Sequence, residues 1–217
     1  MSKRGLDRIG LTRLVVTVAL GFLAAFGVLL ALAWRRAGSP GVAGYLSQLG
    51  ATGQPGAGLY RLAILCVAAA TALTALAWWL RSPGLDAAAL LAVSAVLFTV
   101  SATVPCARGC PIPVRDGWTT AANVVHFSVS AGAFGLAVGA MTSIGAAYRD
   151  PWLRRVSAAA ARVATLLYTL LSGLVLVLGH AVINGLVERL LAVVAIGWLM
   201  ACGVRLGHRR MGGRHQS

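Results

Sequence analysis

Two histidines, two carboxylates and a pair of cysteines hold most of the reactive chemistry in this 217-residue chain. Asp116, His126, His180 and Glu188 are the catalytic candidates. Brought together, two imidazoles and two carboxylates could hold zinc, or could supply an acid, a base and a group to orient them. No spacing among the four is short enough to force contact, so the fold has to bring them together. The simpler alternative pairs Glu188 with a neighbouring arginine at a membrane edge, where an ion pair contributes little.

Cys106 and Cys110 enclose Ala107, Arg108 and Gly109 between two prolines, Pro105 and Pro111. Two readings of this pair stay open. A structural disulfide would close so short a loop that it adds only about 2 kcal/mol. A redox-active or metal-binding pair is the other, although metal sites more often use Cys-x-x-Cys spacing with further ligands nearby.

Thr119, Asn123, His126 and Ser130 recur at intervals of four, three and four, which puts them on one side of a helix. His126 falls about 9 Å into that helix at about 1.5 Å per residue. Lipid cannot satisfy an imidazole, so the stripe should face other helices. Thr165, Thr169 and Ser172 share a face in a later segment. Asn123, His126, Ser130, Thr169 and Ser172 are therefore the ligand-binding candidates.

The elements that position these residues are hydrocarbon. The chain is 59% hydrophobic and 11% charged, against about 45–50% and about 25% in soluble domains. Its apolar residues fall into six blocks, Leu14–Trp34, Leu62–Leu80, Ala87–Val104, Thr120–Met141, Val163–Val182 and Gly185–Val204. Each is close to the roughly 20 residues that cross a bilayer as a helix. The expected fold is all-α: a polytopic membrane protein, a six-transmembrane-helix bundle with an exoplasmic loop cap. Its parts are a basic cytoplasmic N-terminus (1–13), the six-helix domain (14–204) and a basic cytoplasmic tail (205–217).

The first block follows basic residues, as a secretory signal would, and Ala31-Leu32-Ala33 resembles a cleavage site. The block is longer than the about 7–15 residues of a signal core, so a permanent helix is expected. Cleavage would leave five spans. Between the first two blocks, residues 35–60 are rich in Gly and Pro, with a short interfacial helix expected over Val42–Leu49 and ended by Gly50. Trp78 and Trp79 before Arg81 read as a membrane boundary. Cys66 and Cys202 read as small packing residues.

Thirteen of the 19 basic residues lie on the side of the two termini and six on the other. The positive-inside rule then puts both termini in the cytoplasm, and the long loop, the cysteine loop, His180 and Glu188 on the exoplasmic side. The net charge of +14 is spread over block ends, a membrane pattern that implies no nucleic acid. No phosphate loop, HExxH zinc helix or GxSxG elbow occurs, so the signatures of soluble enzymes are missing. No internal repeat supports an inverted-repeat transporter.

Tyr45 to Pro55 before the second block, Pro105-Cys106 with Gly109-Cys110-Pro111 before the fourth, His126 within it and Glu188-Arg189-Leu190 in the sixth, taken in order, resemble the bacterial six-helix membrane family called domain of unknown function 998. The resemblance covers nearly the whole chain. It implies the six-helix topology and no established activity. That family usually shows an acid where Gln48 stands, and often an acid or a proline where Ala107 and Arg108 occur. The resemblance therefore implies that any ion-binding or catalytic role of those acids is lost here.

The function expected first is that of an integral protein of the bacterial cytoplasmic membrane, in which a cap pinned by Cys106 and Cys110 covers a polar pocket around His126. The pocket would take a lipid or small ligand and need no cofactor. One alternative is a membrane-embedded hydrolase, with zinc as its cofactor. The other is a proton-coupled carrier using His126, whose ordinary pKa is about 6.5; the missing repeat and the lack of any acid deep inside a span count against it.

Overall fold

Apolar blocks rich in Ala and Leu can satisfy their backbone inside a bilayer only as helices or closed barrels, and the described residues of this chain form helices with short connections. A computed structural model describes residues 3–38, 44–81, 86–108, 110, 112, 120–178 and 182–208, with side chains from Arg8 onward. The elements are α1 (Lys3–Arg36), a 3-10 helix η1 (Leu46–Gly50), α2 (Ala57–Arg81), α3 (Asp86–Thr103), α4 (Ala121–Ala147), α5 (Pro151–Leu178) and α6 (Val182–His208). All six α-helices are long and apolar enough to cross a membrane, and the fold is a polytopic bundle. Its outer surface is apolar: Leu14, Val28, Leu166, Val177 and Val193 are each more than 60% exposed, which only a lipid solvent tolerates over so large an area.

Each helix packs on its neighbours in sequence, and α1 packs on α6, so the six form a closed ring; α2 also touches α6 across it. Small residues bring the helices together, as is general where no hydrophobic effect drives association within lipid. A Cβ on Gly145 of α4 would lie 2.8 Å from the backbone N of Ala158 in α5. Gly145→Ala should therefore force these backbones apart and cost about 1–3 kcal/mol, read as a lower melting temperature of the detergent-solubilised protein. On the α1–α6 seam, a Cβ on Gly203 would lie 3.1 Å from Leu20.

Several polar side chains bond across the bundle. Ser94 Oγ donates to Ala133 O (2.9 Å), Tyr168 Oη to Ala131 O (3.2 Å) and Trp198 Nε1 to Ser157 Oγ (2.9 Å). Cys66 and Cys202 are buried free thiols.

Three details differ from expectation. The fifth helix begins at Pro151, twelve residues before Val163. Asp150 caps it, accepting from the N–H groups of Trp152 (2.9 Å) and Leu153 (3.2 Å), with proline in the first helical position, where its missing N–H costs nothing. Arg154, Arg155 and Arg162 therefore belong to the helix. In the long loop, the expected interfacial helix is only η1; residues 39–43 lie outside the described ones. The tryptophan pair divides: Trp79 is exposed, whereas Trp78 is fully buried edge-on to Tyr148, with centroids 4.7 Å apart.

Candidate functional site

At the end of the bundle away from the termini, the first turns of α6 hold the long loop in place. The Glu188 carboxylate accepts from the backbone N–H of Leu46 and from the N–H and hydroxyl of Ser47, so an acid from a distant helix caps η1. Asn184 Nδ2 donates to Tyr45 Oη (2.9 Å), and the Arg189 guanidinium lies 5.1 Å from the centroid of Trp34. The loop backbone comes so close that a Cβ on Gly185 would lie 2.5 Å from Gly44 O. From α2, Arg61 Nε donates to Gly50 O (3.1 Å).

The cysteine loop is tied to the same cap. Thr52 donates to Cys106 O through its N–H (3.0 Å) and its hydroxyl (3.2 Å), and Asn123 Oδ1 accepts from Ala107 N–H (2.8 Å). The sulfurs of Cys106 and Cys110 stand at disulfide distance. Asn123 is itself set by the start of α4, where the Thr120 hydroxyl accepts from its N–H (3.3 Å). The two loops thus form one lid over the ring.

Beneath the lid lies a cavity of about 180 Å³, bordered by all six helices and both loops. A single water needs only about 10–15 Å³ of such space. Its deeper wall is apolar, with Phe98, Phe134, Met141, Leu191 and Leu199. Its lid end is polar, with Ser101, His126, Ser130, Tyr168 and Glu188. Among the described residues on its wall, several are half-buried, and Phe127 of α4 and Ser172 of α5 are the most exposed. Below them the α4–α5 seam is shut by the Tyr168–Ala131 bond and the Gly145–Ala158 approach.

The polar stripe of α4 turns toward α3. His126 is 8% exposed, and its Nδ1 lies 3.0 Å from Ser101 O and 2.8 Å from Val104 O. Carbonyls only accept, so the proton sits on Nδ1 and a neutral ring leaves its lone pair on Nε2. That Nε2 is buried without a hydrogen-bond partner among the described residues. The Ser130 and Ser101 hydroxyls bond at 2.7 Å.

Of the catalytic candidates, His126 and Glu188 both border the cavity, while Asp116 and His180 lie outside the described residues, as does Thr119. Of the ligand-binding candidates, His126, Ser130 and Ser172 are on the cavity wall. Asn123 is buried but braces the cysteine loop, and Thr169 is exposed on α5 away from the wall. Sequence reasoning missed Tyr45, Ser47, Tyr60 and Tyr168, which give the cavity much of its polarity. Their only sequence signal was a polar tip on residues otherwise suited to apolar surroundings.

Fold and site together define a polytopic membrane bundle with a lidded, amphipathic internal cavity. The family model for proteins of unknown function DUF998 matches residues 18–205, and the chain belongs to that family. No curated protein and no solved structure matched it.

Proposed function

We propose that this protein takes up a membrane-dissolved amphiphile, with the hydrocarbon chain in the ring and the polar group under the lid against His126. One observation carries the reading: the cavity joins an apolar depth to a polar lid end, and the most exposed of its described wall residues, Phe127 and Ser172, stand on the flank that apolar helices give to lipid. A membrane-dissolved chain would enter beside these two residues, through the α4–α5 gap. The match of apolar depth to polar rim also fits a chain with a headgroup. On the charge asymmetry of the loops, the lid is exoplasmic and the termini cytoplasmic in a bacterial cytoplasmic membrane. The hydrolase and carrier alternatives have no comparable support among the described residues.

The test is thermal unfolding of delipidated protein titrated with a single-chain phospholipid. At about 100 times its Kd such a ligand adds about 2.7 kcal/mol, or about 5–10 °C for a chain of this size. His126→Ala should fold yet lose the rise. Ser172→Trp, placed on the exposed rim, should keep the basal melting temperature and slow the approach to the plateau at least tenfold. An undiminished rise in His126→Ala, together with unchanged kinetics in Ser172→Trp, overturns the proposal.

A further inference from the structure

Cys106 Sγ, Cys110 Sγ and a ring nitrogen of His126 lie within 4.8 Å of one another. The residues come from two elements, and both are held by bonds that do not involve the sulfurs. Thr52 and Asn123 fix the loop through Cys106 O and Ala107 N–H, while the end of α3 fixes the imidazole through Nδ1. A histidine with one ring nitrogen donating to backbone carbonyls, as Nδ1 does here, has tautomer and ring angle both set, as metal-bound histidines do. Packing alone gives no reason to bury the remaining basic nitrogen unpaired, a choice that costs about 1–3 kcal/mol.

We propose that Cys106, Cys110 and His126 form a redox-gated zinc site. In the bridged state the sulfurs bind no metal. A dithiol reductant gives two electrons to the bridge and becomes a disulfide itself, leaving two cysteine thiols. Zinc then displaces their two protons and takes two thiolates and Nε2 as ligands. Thiolate and imidazole sets in tetrahedral geometry suit zinc. Cys110 and His126 both border the cavity, so the fourth position opens into it, the arrangement of zinc sites that accept an outside ligand. This donor set differs from the histidine and carboxylate set suggested by the sequence, and it does not depend on the amphiphile reading.

The full chain in detergent, either oxidised or reduced and desalted without oxygen, is titrated with zinc against a chromophoric chelator. One zinc per reduced chain and none per oxidised chain are expected, with His126→Gln binding at least about 100-fold more weakly. In the reduced wild type, zinc should protect Cys106 and Cys110 from alkylation, mapped by peptide mass, and leave Cys66 and Cys202 unchanged. This arm needs no variant to fold. No binding to the reduced chain, equal binding to the oxidised chain, or full binding by Cys106→Ser/Cys110→Ser overturns the site.

Discussion

Asp150→Ala should destabilise the bundle by about 1–3 kcal/mol, the sum of a lost helix cap and a partly exposed ion pair. Asp150 is fully buried. One carboxylate oxygen caps α5 through Trp152 and Leu153 N–H, and the other lies 3.0 Å from Arg205 Nε on α6. Arg205 also stacks on Trp152, 5.6 Å from its ring centroid. Loss of the cap alone costs about 0.5–2 kcal/mol. Arg205 keeps 43% of its side chain exposed and can turn to solvent, so the ion pair supplies the smaller share, up to about 1 kcal/mol. Asp150→Asn separates the parts, since an amide oxygen still caps the helix but carries no charge. It should recover at least half of the loss in melting temperature. If Asp150→Ala melts with the wild type, the α4–α5 corner is not set by this carboxylate.

Glu188→Ala should release the lid without unfolding the ring. Three donors on Leu46 and Ser47 lose their acceptor, each worth about 1–3 kcal/mol if it stays buried. Movement of η1 into water relieves part of that, leaving about 2–3 kcal/mol as local opening energy. Hydrogen exchange at Leu46 and Ser47 should then quicken about 30- to 160-fold, with protection of amides inside α2–α5 unchanged. Glu188→Gln keeps one acceptor oxygen and should fall between. Unaltered exchange at these amides in Glu188→Ala would mean that Asn184, Arg189 and Arg61 hold the lid by themselves.

The helices were legible because a run of hydrocarbon about 30 Å long has few other uses. Boundaries were harder. The fifth helix was read twelve residues short because Arg154, Arg155 and Arg162 look like a solvated loop; Asp150-Pro151, a cap followed by a proline, was the better signal. His126 stood out in the sequence as a lone imidazole in an apolar run, and its spacing from Asn123 and Ser130 gave the face on which it lies. Its partners were not legible, since they are the carbonyls of Ser101 and Val104, and any residue but for its packing could supply a carbonyl. Glu188 was expected beside an arginine or within a zinc set. That it caps a helix some 140 residues earlier depends on the path of a loop whose sequence sets no direction. Thr169 and Ser172 share a helical face, yet only Ser172 reaches the cavity wall; small tilts of α5 decide such cases, and spacing does not carry tilt.

Every helix in the ring meets its predecessor, and α6 alone reaches back to the first part of the chain, along the α1 seam and at lesser contacts with α2 and η1. During synthesis, then, five of the six lateral contacts can form as each hairpin leaves the ribosome, with little loop entropy to overcome. The last, around Gly203 and Leu20, must wait for the final helix. Until α6 docks, the other five helices make an open arc, so the cavity has no closed wall before the last helix is in place.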